Sequence, residues 1–274
     1  MKKIVLIFTS VLVVLSVATA AQAQEPLRFG SVAMDIPAVM HKRLKPLTRY
    51  LSDELGQPVE LILSPDMKSA IDAVANGNVD FAYLTPVAYL KSRRKSKTQL
   101  VAKTVTNGKA SFKLMVVTAS NNQITSISDL KGKRFAFGDR AALLQRAIVV
   151  GAGLPMSSLG KISFLGHYDN IVRGVLVGDH DAGILKDTMA YQWENKGVRI
   201  VHSSPDLPPY NITASSKVSP DLLAKLQRAF LRLDSKNPTH NKFIKALDKK
   251  YDGFAKTSDA EYDVIRKLIL PFDK

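Results

Sequence analysis

One short signature is written twice in this chain. Gly77-Asn78-Val79-Asp80-Phe81-Ala82 and Gly178-Asp179-His180-Asp181-Ala182-Gly183 each follow a short amphipathic stretch and open an apolar run. Arg28-Phe29-Gly30 likewise echoes Arg134-Phe135-Ala136, so two paired landmarks recur at offsets of 101 and 106 residues. A glycine that stops a helix, followed by an acid and a short apolar strand, is the helix-to-strand turn of an α/β unit. Two such units at nearly equal spacing predict two similar lobes.

The remaining punctuation fills in each lobe. The pattern predicts a strand over 27–32, a helix over 36–55 stopped by Gly56, a strand over 59–63, a helix over 67–75 and a strand over 79–84. It restarts with a strand over 112–118, a tight turn over 129–132 and a strand over 134–137. A helix over 141–152, a strand over 162–165, a helix over 170–177 and a strand over 182–185 follow. Strands alternating with helices indicate mostly parallel sheets flanked by helices. The loop 203–210, with Pro205, Pro208 and Pro209, suits a crossing between lobes better than a core element. Beyond it the sequence predicts helices over 220–233, 239–250 and 258–269. The expected organisation is a signal peptide over 1–23, a first lobe over 24–112 and a second lobe over 113–209. A crossing segment with C-terminal helices over 210–274 would pack back on the first lobe.

The amino terminus sets the expected compartment. Lys2-Lys3 precedes an apolar run over 4–17, and Ala21-Gln22-Ala23 has the small-x-small form of a cleavage site. Export with cleavage is expected, with no cysteine available to carry a lipid, so the protein would be free in the periplasm of a double-membraned cell. The absence of cysteine also excludes disulfide scaffolds, thiolate metal sites and cysteine nucleophiles. Net charge is +15, distributed as +2 over 1–23, +6 over 24–113, +2 over 114–207 and +5 over 208–274. The Lys91-Ser92-Arg93-Arg94-Lys95-Ser96-Lys97 run would suggest nucleic acid in a cytosolic protein. In the periplasm it reads as a solvated helix end or a docking face for an acidic partner.

Motifs for catalysis and cofactors are missing. The sequence has no G-x-S-x-G elbow, no H-E-x-x-H, no Walker loop and no glycine-rich dinucleotide turn after a strand. The histidines at 41, 167, 180, 202 and 240 lack metal-ligand spacing, and no metal or cofactor is expected. An exported two-lobed chain without a reactive group reads as a binding protein, not an enzyme. Its ligand belongs outside the carboxyl ends of the parallel strands, in the cleft where the lobes face each other. The loops placed there are 31–36, 64–68, 85–89, 138–143, 166–170 and 186–189. Helices opening from such loops present free N–H groups suited to an oxyanion.

The stretch from Leu27 to Leu90 resembles the phosphate, phosphite and phosphonate periplasmic binding proteins of ABC importers. The shared pattern is Arg28-Phe29-Gly30, Lys45-Pro46-Leu47 with Tyr50-Leu51, Leu55-Gly56 before Val59, Asp66 ahead of a helix, Gly77-x-Val79-Asp80-x-Ala82, and Pro86 with Tyr89. Ser128-Asp129-Leu130-Lys131-Gly132-Lys133-Arg134-Phe135-Ala136-Phe137-Gly138-Asp139 repeats the second-lobe entry of that family. The resemblance implies the hinged, two-lobed type 2 periplasmic binding protein fold. It also implies a small oxyanion ligand and delivery to an inner-membrane permease, with a monomer as the expected state and no nucleic-acid partner. The alternative is a ligand-sensing module for a membrane sensor kinase or receptor.

Departures from the family pattern bear on the ligand. Where the resemblance implies a Ser/Thr-rich helix start after Gly138-Asp139, this chain has Arg140-Ala141-Ala142-Leu143-Leu144, and Met67 stands where a tyrosine is usual. Arg140 either replaces the hydroxyls by pairing with an oxyanion or faces solvent. Asp169 and Asp181 match the family's two second-lobe acids, with Tyr168 in place of a histidine; the alternative for Asp181 is that it only caps the turn before its strand. With Met34 and Thr85 from the first-lobe loops, the expected ligand-binding set is Met34, Met67, Thr85, Arg140, Tyr168, Asp169 and Asp181.

Overall fold

The computed structural model describes residues 24–32 and 36–272. Met34 and the expected signal peptide over 1–23 lie outside the described residues. Two sheets carry the architecture. The first half of the chain supplies β1 (Leu27–Ser31), α1 (Pro37–Leu55), β2 (Val59–Leu63), α2 (Met67–Asn76), β3 (Phe81–Leu84), α3 (Pro86–Ser96) and β4 (Gln99–Thr106). The second unit contains β5 (Leu114–Ala119), β6 (Arg134–Phe137), α4 (Leu143–Gly151), β7 (Lys161–Phe164), α5 (Tyr168–Leu176), β8 (Ala182–Lys186), α6 (Asp187–Trp193) and β9 (Val198–Ser203). The chain then returns as β10 (Asn211–Ala214), α7 (Pro220–Arg232), α8 (Pro238–Leu247), β11 (Tyr251–Ala255) and α9 (Asp263–Ile269).

The first sheet has the order β11-β4-β10-β3-β1-β2 and the second β7-β6-β8-β5-β9. Each is mixed. β2, β1 and β3 are parallel, as are β7, β6 and β8, while β10, β4 and β11 in the first sheet and β5 and β9 in the second pair antiparallel to their neighbours. The repeated signature is visible in three dimensions. Gly77 closes α2 with φ 73° and Gly178 follows α5 with φ 80°, a region that other residues enter only at a cost.

Strand alternation sorts the cores. Phe29, Phe81 and Tyr83 face α1, α7 and α8, whereas Ala82 and Leu84 face α2 and Ala88 of α3. In the second sheet Phe135 and Phe137 face α4 and α9, while Ala136 packs with Ile171, Val172 and Val175 of α5 and Ala190 of α6. Of the C-terminal helices, α7 and α8 lie on the first sheet. Tyr262, Ile265 and Ile269 instead join the core of the second sheet with Ile148 and Phe135. The segment from 210 onward therefore does not pack back on the first lobe alone, because the apolar stripe of α9 matches α4.

Three segments connect the sheets. Residues 107–113 and 204–210 run side by side, and Phe112 and Leu207 exchange backbone hydrogen bonds of 3.0 and 2.8 Å. Residues 256–258 make the third crossing, ending in a capping box in which Ser258 and Glu261 satisfy each other's backbone. At that crossing the Tyr89 ring of α3 meets Tyr262 edge-on at 4.7 Å between centroids. Asp259 accepts from the Tyr89 hydroxyl and pairs with Arg93 at 3.1 Å and Arg266 at 2.5 Å.

Candidate ligand-binding cleft

The carboxyl ends of the parallel strands in both sheets point toward the crossings. In the first lobe, α3 starts here because Thr85 accepts the Ala88 N–H at 3.1 Å and Pro86 presets the first turn. Thr85 is half-buried, its hydroxyl engaged as a cap. Met67 opens α2 behind its own cap, Asp66, which accepts the Ser69 N–H at 2.7 Å, and packs half-buried against the α2 core.

The β6–α4 loop differs from the sequence-based expectation. Gln145, 5% exposed, turns its Oε1 back to accept the Gly138 N–H at 2.8 Å. Its Nε2 lies 3.4 Å from the Tyr168 hydroxyl. Asp139 accepts the Ala141 N–H at 2.7 Å. The Arg140 guanidinium stacks 4.3 Å from the centroid of Phe164 on the edge strand β7, and its carbonyl accepts from Arg146 at 2.8 Å. Arg140 is thus held on an aromatic face at the rim. Tyr168 opens α5, half-buried, and burial raises its hydroxyl above the ordinary range. Asp169 is exposed in the first turn of α5 and makes no side-chain hydrogen bond or ion pair among the described residues.

Asp181 is not brought to the cleft. It precedes the amino end of β8, at the far edge of the sheet. There its carboxylate accepts the Arg134 backbone N–H at 2.8 Å and Nη2 at 2.7 Å, which lowers its pKa. Asp80 holds Arg28 the same way in the first lobe, at 2.7 Å to the backbone N–H and 3.2 Å to Nη2. Of the two readings of Asp181, the turn-locking one describes its contacts.

Sequence reasoning missed a tyrosine cluster at the cleft end of the first lobe. The Tyr83 and Tyr251 hydroxyls are 2.6 Å apart, and Tyr210 from the second crossing stacks on Tyr83 at 5.2 Å. Burial, with the charge of Tyr251 adding to it, raises Tyr83 and Tyr210, and burial takes Tyr251 to about 12. The charge of Tyr168 in the second lobe adds to the rise at Tyr210.

Beside it lies a cavity of about 390 Å³, lined from both lobes and the first crossing. Its lining takes Thr106 and Lys250 from the first lobe, Lys109 and Phe112 from the first crossing, and Lys186, Asp187, Tyr191 and Gln192 from the second lobe. Asp187 is anchored to the crossing: it accepts the Lys113 N–H at 3.0 Å, and its own N–H donates to the Lys113 carbonyl at 2.9 Å. The Lys186 ammonium lies 5.3 Å from the Phe112 ring centroid. The position of 186–189 at the end of β8 was the available signal for Lys186 and Asp187. Tyr251 carried none, because it falls between the helices expected over 239–250 and 258–269.

Two α/β lobes joined by crossing segments, with a ligand-sized cavity between them, define a two-lobed solute-binding protein. Residues 29–262 match the family described as ABC transporter, phosphonate, periplasmic substrate-binding protein, and the chain belongs to that family. It is 21% identical to the phosphate-import protein PhnD of Mycolicibacterium smegmatis, over 91% of this chain and 87% of that one. The fold resembles PhnD1 from Prochlorococcus marinus in complex with methylphosphonate, with TM-score 0.70, 21% identity, and coverage of 90% of this chain and 98% of that one. It also resembles XAC2383 from Xanthomonas citri bound to chloride ion, with TM-score 0.73, 19% identity, and coverage of 88% and 95%. Among the described residues no helix is long and apolar enough to cross a membrane.

Proposed function

We propose that this protein captures a small phosphorus oxyanion in the inter-lobe cleft and presents it to the permease of an ABC importer. The cavity carries this reading, because its walls come from both lobes and from the strand between them. A ligand touching both walls stabilises the closed arrangement by its differential contacts, and rotation is taken up in 107–113 and 204–210. Closure then creates a composite surface for the membrane partner. The phosphate importer from M. smegmatis and the methylphosphonate complex from P. marinus support the oxyanion class. The excess of basic residues at the cavity agrees with it.

The test is unfolding of protein taken from a periplasmic extract, stripped of ligand in guanidinium and refolded. Orthophosphate, methylphosphonate, phenylphosphonate and sulfate are then added. A phosphorus oxyanion present at 100 times its Kd should stabilise by about 2.7 kcal/mol. No stabilisation by any of them would remove the oxyanion reading. The mass of the exported protein tests cleavage after Ala23, and its sedimentation tests the monomer.

A further inference from the structure

Resting on that reading, we propose that the anionic head is held on the hinge side of the cleft by Lys186, in the cavity that Lys109 and Lys250 also line. The β6–α4 loop does not hold it. The ligand is a phosphorus oxyanion carrying an organic group, not bare orthophosphate.

Two independent observations carry this. The first is that the loop after β6 is already filled. Its leading donor, the Gly138 N–H, is taken by the buried Gln145 amide. Residues 141 and 142 are alanines without hydroxyls, and Arg140 is stacked on Phe164. An oxyanion entering there would have to displace an internal hydrogen bond and gain no charged partner in exchange.

The second is the set of cations at the hinge. Lys186, Lys109 and Lys250 come from β8, the first crossing and the turn before β11, which are distant in sequence and meet around one cavity. Lys186 is half-buried and makes no ion pair among the described residues, and its ammonium lies 5.3 Å from the Phe112 ring centroid. Burial holds its ammonium below the ordinary lysine range, with Asp187 and Asp248 opposing that effect and Lys250 adding to it. A half-buried cation without an ion-pair partner, flanked by two more lysines around one cavity, suits an incoming anion that supplies the opposite charge. The neighbouring Asp187 is occupied by the Lys113 and Thr188 N–H groups at 3.0 and 2.7 Å, so it does not neutralise Lys186 directly.

Size points to an organic group. The cavity, about 390 Å³ and partly open to solvent, is of a size that takes organic ligands and exceeds the need of a single tetrahedral anion. Phe112 and Tyr191 supply apolar walls on which such a group can lie.

The experiment is titration calorimetry with phenylphosphonate, methylphosphonate and orthophosphate on the native protein and on Lys186→Met, Lys186→Arg and Arg140→Ala. Native protein should bind phenylphosphonate more tightly than orthophosphate. Lys186→Met should weaken that binding about tenfold or more. Lys186→Arg should keep most of it, and Arg140→Ala should stay within about threefold of native. Thermal unfolding of ligand-free Lys186→Met should match or exceed native, because a half-buried charge without an ion-pair partner is removed. Native-like affinity in Lys186→Met, or a tenfold loss in Arg140→Ala, overturns the Lys186 assignment while oxyanion capture stands. Tighter binding of orthophosphate overturns the organic-group assignment. If the native protein binds none of the three, both this inference and the oxyanion reading fall.

Discussion

The amide of Gln145 closes the loop at Gly138, accepting its N–H at 2.8 Å while facing the Tyr168 hydroxyl at 3.4 Å. One side chain on α4 thereby ties the end of β6 to the start of α5. A Cβ on residue 138 would come within 2.9 Å of the Gln145 amide nitrogen, so a side chain there would have to push that amide aside.

Gln145→Leu keeps the volume but leaves the Gly138 N–H buried and unpaired. Unfolding in denaturant should show a loss of about 1–3 kcal/mol. A change below about 0.5 kcal/mol would mean that water takes over the donor and that the loop is not closed by this contact.

Asp181 should matter for stability and acid resistance. Its folded pKa is depressed by the Arg134 hydrogen bonds. Its contribution is therefore complete above the unfolded carboxylate value near pH 4 and is lost as pH falls through the lower folded value. Asp181→Asn should cost about 1 kcal/mol at pH 7, a modest figure because the Arg134 side chain is 45% exposed. The difference from native should vanish in the acid limb. A constant difference from pH 7 to pH 2 would show that charge is not its source.

Tyr83 and Tyr251 share one hydrogen bond of 2.6 Å in a buried setting. A double-mutant cycle with both replaced by Phe should give a coupling of about 0.5–1.5 kcal/mol, the single variants each leaving one hydroxyl without its partner. Strict additivity would place their hydroxyls on separate partners.

Asp259 ties α3 to the start of α9 through Tyr89, Arg93 and Arg266. Asp259→Asn should lower stability by about 1 kcal/mol, since the site is partly solvated. Hydrogen exchange should quicken locally at 256–262. Unchanged exchange there would show that the tyrosine pair alone holds the junction.

The lobes were legible because their signals are local. The glycine stops at 77 and 178, and the Arg–Asp pairs they lead into, recur at almost constant spacing. The missing strands were those whose meaning depends on distant partners. β4 and β10 carry polar residues, among them Thr104, Asn211 and Thr213, that are buried only because neighbours from other parts of the chain flank them. The run at 251–255, between the helices expected over 239–250 and 258–269, is a strand in which Gly253 takes φ 147° beside the Leu233 carbonyl, where a Cβ would stand 2.4 Å away. The same limit applied to the cleft. Sequence placed the loops at strand ends, but could not show that Gln145 fills one of them or that lysines 77 positions apart converge at Lys109 and Lys186.

The insertion of β10 between β3 and β4 imposes an order of assembly. The first sheet cannot be completed until residues 211–214 exist, and its edge strand β11 comes later still. The second sheet is drawn wholly from 114–203 and closes with shorter loops. A chain made from its amino end thus has β1 to β4 waiting as an incomplete sheet, with the flanks of β3 and β4 unpaired, while the second lobe forms. Until the carboxyl third arrives, that open gap is the part of the molecule most exposed to pairing with another chain.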